Sequence, residues 1–315
     1  MEDEVIINVE HLTKDYGYGR GVFDVSIKVH KGECYGYLGP NGAGKSTTIR
    51  HIMGFSKPTT GKITILGMDS FGNTEKILAH VGYLPGEPAI PAGLDGWGFL
   101  RMMQDMRGER NDERLNYLLQ LFQLNPHVSV KSMSLGEKRK LAVVAAFMND
   151  PDVLILDEPT SGLDPIMQQI FINFIIDEKK RGKTILLSSH IFSEVDATCD
   201  TISIIKDGVH VSTFKADDLK ENDVTTYNIR FLDKENLNKF LEINTYGEVI
   251  ETNKQRYIAT VKVKKANYRK FFTKLEGINV VGFDEKPFTL QDYFMSFYKE
   301  EKEFDGLSGV SGNTK

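Results

Sequence analysis

Apolar and polar residues alternate in two segments near the start of the chain, at residues 5–9 and 22–29. This period of two predicts a pair of half-buried antiparallel strands. Three other short runs, at 81–84, 153–156 and 184–188, are apolar and are bounded by polar residues or proline. Runs of that kind are typical of central parallel strands that are covered on both faces.

Helical patterns dominate between Glu87 and Met148, where the strand signal vanishes. The clearest of them are the stretches 97–106 and 112–122. Strands that alternate with helical stretches indicate an α/β sheet, so a long helical interval indicates an insertion into it. We predict a helical subdomain of about residues 87–150 inserted into the α/β core.

An Asp-Gly pair at residues 207–208 separates two further strand-like stretches, 201–205 and 209–214. Asp-Gly is a favoured sequence for a tight two-residue turn between antiparallel strands, so these stretches predict a β-hairpin. With this hairpin we expect the first domain, residues 1–220, to end.

A second unit begins near Asp223. Its stretches follow one another in the order β-α-β-β-α-β, which is the ferredoxin-like pattern. They lie at 225–231, 234–243, 248–250, 257–263, 266–275 and 278–283. We predict a small α+β accessory domain over residues 223–303 with no catalytic constellation, closed by a helix at 290–302. A Gly/Ser-rich tail over residues 304–315 is predicted to be disordered.

The glycine-rich segment at residues 39–46 reads Gly-Pro-Asn-Gly-Ala-Gly-Lys-Ser and fits the phosphate-loop pattern without a mismatch. A predicted strand leads into it and a predicted helix follows, which favours a phosphate site over a chance glycine turn. Its backbone N–H groups would converge on phosphates, while Lys45 neutralises them and Ser46 binds Mg²⁺. The nucleotide-binding candidates are Gly39, Pro40, Asn41, Gly42, Ala43, Gly44, Lys45, Ser46 and Thr47.

Two adjacent acids, Asp157 and Glu158, end the apolar strand at 153–156. Ligands of open α/β sheets bind at the carboxyl ends of the strands, so these acids are candidates for the site. We expect Asp157 to bind Mg²⁺ through water and Glu158 to act as the general base that polarises the attacking water. A structural alternative, in which Glu158 only caps the helix after Pro159, stays open.

A short motif, Ser134-Leu-Gly136-Glu137, lies upstream of the acidic strand, and a lone histidine, His190, ends the strand at 184–188. Serine is a preferred N-cap, and a serine-capped helix start is itself an anion site. A lone histidine is usually structural, so His190 gains its weight from the motifs that precede it.

In this order, the phosphate loop, the Ser134 motif, the acidic strand and His190 resemble the ATP-binding subunit of an ABC transporter, over roughly residues 4–215. The resemblance implies a cassette with a mixed-sheet core, an antiparallel β subdomain and a helical subdomain. It implies that Ser134, Gly136 and Glu137 reach the γ-phosphate of ATP held by an opposite subunit. It also implies that His190 contacts the γ-phosphate.

The resemblance further places Tyr16 where an aromatic ring stacks on adenine, with Tyr18 as a competing candidate and an ordinary tyrosine as the alternative. Two features depart from the family. The usual L-S-G-G-Q motif carries Leu135 and Glu137 here, and a glutamate near a γ-phosphate would weaken closure. Gly86 occupies the position of the family's metal-sensing glutamine, so we hypothesise that Glu87 takes over as a Mg²⁺ ligand.

Bulk composition narrows the function classes further. The chain has 315 residues, two cysteines and a net charge of −5, which favours no nucleic-acid partner and suits a reduced compartment. Its start carries no secretory signal, and its longest apolar runs fall short of the roughly 20 residues of a membrane span. If the protein works at a membrane, another chain must supply the pore.

The leading interpretation is therefore a subunit that binds and hydrolyses ATP, with Mg²⁺ as cofactor, at the cytoplasmic face of the cell membrane. It would pair as a homodimer or with a second ATPase subunit, and drive a separate membrane permease. The segment 288–294 resembles the closing segment of ATPases paired with ABC-2-type exporters, which favours export. The sequence does not encode the transported substrate.

Other classes fit less well. Translation ATPases carry two cassettes, DNA-repair relatives need a long coiled-coil insertion, and kinases or GTPases would not explain the Ser134 motif. A non-hydrolytic binder does not need Glu158. A soluble ABC-type ATPase with a regulatory, non-transport role stays open as the alternative.

Overall fold

A computed structural model describes residues 4–108, 110–220, 223–286 and 289–295 of the chain. The chain divides into two compact units, Met1–Ala216 and Asp217–Lys315. Within the described residues, no helix is long and apolar enough to cross a membrane.

The first unit is built on one ten-stranded sheet. Its strands are β1 (Val5–Asp15), β2 (Gly21–His30), β3 (Cys34–Leu38), β4 (Thr60–Ile65), β5 (Met68–Asp69), β6 (Val81–Leu84), β7 (Val153–Asp157), β8 (Thr184–Ser189), β9 (Thr201–Lys206) and β10 (Val209–Lys215). They lie side by side in the order β5-β4-β1-β2-β10-β9-β3-β8-β7-β6.

The sheet has a parallel half and an antiparallel half. Strands β9, β3, β8, β7 and β6 pair in parallel, whereas β1 pairs antiparallel with both β2 and β4. The halves meet where β10 pairs with β2 through a single parallel bridge between Val209 and Phe23. The predicted mixed sheet with an antiparallel subdomain is confirmed.

Helices cover this sheet and form the helical insertion. They are α1 (Lys45–Ile52), α2 (Thr74–His80), α3 (Gly96–Arg107), α4 (Asp112–Leu121), α5 (Leu135–Phe147), α6 (Pro165–Lys180) and α7 (Phe192–Thr198). A short helix, α8 (Ala216–Lys220), follows β10 in the chain where the first unit ends and the second begins. The side chains of Asp95, Asn111 and Asp164 cap α3, α4 and α6 by accepting a hydrogen bond from backbone N–H groups of the first turn. These caps fix where each helix begins.

The core lies where the parallel strands are covered on both faces. Every residue of β3, β7 and β8 is buried, as the unbroken apolar runs predict. The prediction that residues 81–84 form a central strand is wrong, because β6 is the last strand of the sheet. Helix α5, whose residues are mostly buried, packs against β6 and covers it. The sequence analysis also missed β4, β5 and α2.

The predicted hairpin is confirmed at Asp207-Gly208, between β9 and β10. Both turn residues have positive φ, 48° and 77°, which is the signature of the tight turn that matches the twist of the strands.

The second unit is an antiparallel α+β fold. Its elements are β11 (Val224–Phe231), α9 (Lys234–Ile243), β12 (Gly247–Asn253), β13 (Ile258–Lys264), α10 (Tyr268–Lys274) and β14 (Val280–Lys286). The strand order β12-β13-β11-β14 and the β-α-β-β-α-β succession confirm the ferredoxin-like pattern. Residues 290–295 are helical, while the remainder of the helix predicted at 290–302 and the predicted tail at 304–315 lie outside the described residues.

Candidate functional site

The glycine-rich loop connects β3 to α1, as the sequence predicts, and it turns sharply at Gly44. Gly44 is the N-cap of α1 and has a φ of 105°, a region that disfavours other residues. A Cβ atom added there would also lie 2.7 Å from Cγ1 of Val22. Only glycine can therefore bring the loop round so that the first N–H groups of α1 face the bend, where an anion can bind.

Lys45 lies inside this bend, and its side chain is only 5% exposed. Its Nζ donates hydrogen bonds to the carbonyl oxygens of Gly39 and Pro40, at 2.7 and 3.0 Å. The same nitrogen lies 3.0 Å from Oε1 of Glu158. The loop thus surrounds a fixed positive charge that can be shared with a bound phosphate.

Glu158 follows directly after β7 and lies between two of the other predicted catalytic residues. Its Oε2 lies 2.6 Å from Nδ1 of His190, while Oε1 pairs with Lys45. The backbone N–H of Glu158 donates to the Ser188 carbonyl at 3.0 Å. This hydrogen bond holds Glu158 beside the carboxyl end of the neighbouring strand β8. Helix α6 is capped by Asp164, so the alternative role of Glu158 as a helix cap is not what the fold uses.

Asp157 is buried at the end of β7 and accepts a hydrogen bond from the Ser188 hydroxyl at 2.5 Å. Its other oxygen faces Gly86, where an added Cβ would lie 3.0 Å from Oδ2. The backbone of Gly86 therefore packs closely against the carboxylate, and a side chain at this position would crowd it. Glu87, the next residue, is exposed.

The oxygen ligands at this site suit Mg²⁺, which keeps water and phosphate ligands, better than a metal ion that is bound entirely by protein side chains. Within the described ranges, no three His, Cys, Asp or Glu side chains are grouped closely enough to bind a metal ion. Mg²⁺ typically binds one or two protein oxygens and completes its shell with water and substrate phosphates. The carboxylate of Asp157 and the hydroxyl of Ser46 are oxygen donors of that type.

A cavity of about 480 Å³ opens beside the glycine-rich loop. Tyr16 contributes to its wall, whereas Tyr18 is fully exposed and does not line it. The sequence analysis missed Arg20 and Asp207 as lining residues. It predicted the Asp-Gly turn only as part of a hairpin. That turn lies beside the glycine-rich loop, because the N–H of Gly208 donates a hydrogen bond to the Ala43 carbonyl at 3.0 Å. The lining residues are Tyr16, Gly19, Arg20, Gly21, Asn41, Gly42, Gly44, Lys45, Ser46, Thr47, Glu158, Asp207 and Gly208.

Ser134 caps α5, and Glu137 closes a reciprocal capping box with it. The Glu137 carboxylate accepts hydrogen bonds from the N–H and the hydroxyl of Ser134, both at 2.8 Å. These two hydrogen bonds lower the pKa of Glu137. Neither Ser134 nor Gly136 nor Glu137 lines the cavity beside the glycine-rich loop, although all three lie in the described part of the chain.

Arg139, which the sequence analysis missed, connects three segments of the site. It is buried in α5 and donates hydrogen bonds to the carbonyls of Pro85, Gly86 and Ser161. Burial lowers its pKa, while the charges of nearby acids, Asp157 foremost, oppose that shift. Arg139 thereby ties the start of α5 to the loops that follow β6 and β7.

Known proteins match the chain along most of its length. The family described as "ABC transporter" matches residues 22–161. The bacitracin transport ATP-binding protein BcrA of Bacillus licheniformis is 32% identical, over 92% of this chain and 96% of its own length. The Nod factor export ATP-binding protein I of Rhizobium leguminosarum bv. viciae is 37% identical, over 65% of this chain and 67% of its own.

A solved structure described as the ATP binding subunit of an ABC transporter has the same fold as the first unit. It covers 68% of this chain and 92% of its own, with 32% sequence identity and a TM-score of 0.64.

Proposed function

This chain belongs to the family of ABC transporter ATP-binding proteins, and we propose that two such subunits hydrolyse ATP in shared sites to drive export through a separate membrane permease. ATP binding and hydrolysis are the activity of the family. The observation that carries the proposal is the cluster of Lys45, Glu158 and His190 at the glycine-rich loop. It joins a phosphate-binding cation to a carboxylate and an imidazole.

Each residue of the cluster has a chemical role once ATP is bound. Lys45 leaves its ion pair with Glu158 and pairs instead with the β- and γ-phosphates, since a phosphate carries more negative charge than a carboxylate. Glu158, released from Lys45, polarises the attacking water as general base, and His190 donates to the γ-phosphate. Tyr16 offers its ring to adenine at the wall of the cavity.

Ser46, Asp157 and Glu87 are the proposed oxygen donors for Mg²⁺. When bound, the ion neutralises the negative charge that develops on the phosphates. Asp157 is positioned for this by Ser188, which donates to one carboxylate oxygen and leaves the other turned toward Gly86. Glu87 is exposed and directly follows Gly86, the residue that the Asp157 carboxylate faces, and we propose it as the third donor on that ground.

The site is completed by a second subunit. Ser134 is exposed at the start of α5 and lies outside the cavity that contains Lys45. Its neighbour Leu135 is 72% exposed, so the start of α5 is accessible to a second subunit. In the proposed dimer, Ser134 and Gly136 of each subunit face the γ-phosphate bound by the other.

Mixing two inactive variants tests the shared site. Lys45→Met and Ser134→Arg are each expected to abolish hydrolysis, because each removes one half of every site. A mixed dimer contains one site with Lys45 and Ser134 both intact. We expect a 1:1 mixture to recover up to about a quarter of the wild-type rate, since half of randomly formed dimers have one intact site of two.

A steady-state ATPase assay of the mixture measures this recovery. Mixing Lys45→Met with Glu158→Gln is the matched control, because both defects lie on the same side of the site and no intact site can form. No recovery with the first pair, under conditions in which both variants dimerise, would contradict the shared site.

Export is proposed because of the relatives. BcrA and the Nod factor protein have names that state transport and export. By analogy, the chain would bind a membrane permease at the cytoplasmic face of the cell membrane, as a homodimer or with a second ATPase subunit. Those relatives do not favour the alternative of a regulatory ATPase without transport. The accessory role of residues 223–303 is likewise a proposal.

Glu137 competes with the γ-phosphate for the hydrogen-bond donors of Ser134. Its carboxylate already accepts from the N–H and the hydroxyl of that serine. We therefore expect the Glu137→Gln variant to dimerise at an ATP concentration about tenfold lower than the wild type needs. The substitution replaces a charge-assisted acceptor with a neutral one and removes a negative charge that repels the phosphate.

Dimer formation at increasing ATP concentration, in a background that cannot hydrolyse, measures this effect. Glu113→Gln, an exposed acid in the first turn of α4, provides the same change of net charge away from the site. Unchanged or weaker closure in Glu137→Gln would show that the carboxylate assists the site instead of competing for it.

A further inference from the structure

Ser189, which directly precedes His190, forms a buried hydrogen-bonded pair with Glu194. Ser189 ends β8, Glu194 lies in the first turn of α7, and both are almost completely buried. The Ser189 hydroxyl donates to Oε2 of Glu194 at 2.6 Å and accepts from the N–H of Ile191 at 2.9 Å. The backbone on both sides of His190 is therefore fixed by one hydroxyl group.

The same serine is also connected to the glycine-rich loop. Its carbonyl oxygen accepts a hydrogen bond from the N–H of Gly39 at 3.2 Å. His190, in turn, contacts Glu158 at 2.6 Å with its Nδ1. A continuous set of contacts therefore runs from Glu194 through Ser189 to the residue that carries the imidazole.

We propose that Glu194, acting through Ser189, is a positioning residue that sets where His190 presents its imidazole to the reacting phosphate. This inference rests on the proposed role of His190. His190 is itself 42% exposed and its imidazole contacts Glu158, so its position depends on that contact and on the turn that carries it. Glu194 fixes that turn from the buried side without touching the nucleotide.

The electrostatics of Glu194 agree with a hydrogen-bonding role. Its pKa is raised to about 7, mainly by burial and to a smaller extent by the charge of Glu158, against the opposing effect of hydrogen bonds with Ser189 and Thr160. Its Oε1 is buried and accepts no hydrogen bond of good geometry within the described residues. A neutral side chain with an acceptor oxygen can therefore take its place.

Three substitutions separate positioning from general packing. Glu194→Gln keeps an acceptor for the Ser189 hydroxyl, and we expect its kcat to stay within twofold of wild type. Glu194→Leu fills a similar volume without an acceptor, and its kcat should fall about tenfold at unchanged KM for ATP. Thr198→Val removes another buried hydroxyl of α7, one that donates to the backbone carbonyl of Glu194 and not to its side chain. Its kcat and KM should equal those of the wild type.

Combination with His190→Ala gives the decisive comparison. If Glu194 acts through His190, Glu194→Leu should lower kcat no further in the His190→Ala background. The proposal would be overturned if Glu194→Leu lowered kcat in the His190→Ala background by the same factor as in the otherwise wild-type protein. Should Glu194→Leu fail to fold, Ser189→Ala interrupts the same link from its other end and loses only one oxygen atom.

A readout that does not need hydrolysis separates this inference from the proposed function. The imidazole signal of His190, identified by its loss in His190→Asn, can be followed by NMR in the full-length protein without nucleotide. We expect it to shift in Glu194→Leu and Ser189→Ala and to stay in place in Glu194→Gln and Thr198→Val. An unmoved signal in the first two variants would overturn the proposal even if the wild type is an active ATPase.

Discussion

Replacing Glu158 with glutamine is expected to lower the rate of ATP hydrolysis about 10²- to 10⁴-fold, the range that a general base contributes. Glutamine keeps the shape of the side chain but cannot accept the proton of the attacking water. It also removes the ion pair with Lys45, whose Nζ lies 3.0 Å from Oε1. ATP should therefore bind at least as well as in wild type and remain intact.

Trapped ATP should hold two subunits together, so the solution mass of this variant is the measurement to make. The chain has a mass of 35.6 kDa, and addition of ATP and Mg²⁺ should double it. Glu113→Gln is the control for the change of charge and should hydrolyse ATP as wild type. A Glu158→Gln variant that turns over ATP at the wild-type rate would refute Glu158 as the base and leave binding to be explained separately.

The parts of the site that the sequence predicts are those whose chemistry is local. The glycine-rich loop requires residues adjacent in sequence, because Gly44 must adopt positive φ directly before the helix that begins at Lys45. Ser134 caps the helix that begins at the next residue, as its residue type predicts. Such features depend on spacing along the chain, which the sequence shows.

The parts that the sequence misses depend on contacts between distant segments. Arg139 stands between two lysines, a run that is typical of a solvated helix surface, yet it is buried and donates to carbonyls more than 20 residues away. Glu194 gives no signal either, although Ser189 lies only five residues before it, because the two side chains meet only once β8 and α7 have folded. Carbonyl acceptors have no identity in a sequence, so only the fold reveals these ties.

Missed elements of the fold have a similar cause. Strand β4 is short, and half of its residues are exposed, so its alternation is weak. It forms because β1 presents a free edge on which it can pair. The run at residues 81–84 looks like a central strand because it is apolar, but its apolar side chains are accounted for by packing against α5 and not by a strand on each side.

Replacing Lys45 with methionine is expected to weaken ATP binding about 10- to 100-fold, since charge-assisted hydrogen bonds to phosphate are lost. Stability should also fall, by about 1–3 kcal/mol. Lys45 donates to the carbonyls of Gly39 and Pro40 and pairs with Glu158, and methionine leaves all three without that partner.

The double variant Lys45→Met/Glu158→Gln separates the two effects. Removing both partners of a pair is less costly than removing one, so urea unfolding should show stability recovered in part while ATP binding stays weak. Lys183→Met is the matched control, because Lys183 is equally buried and pairs with Asp152 at 3.1 Å, away from the glycine-rich loop. It should lose stability and bind ATP as wild type. If Lys45→Met bound ATP as tightly as Lys183→Met, the loop would recognise phosphate through its backbone N–H groups alone, and Lys45 would serve the fold instead of the nucleotide.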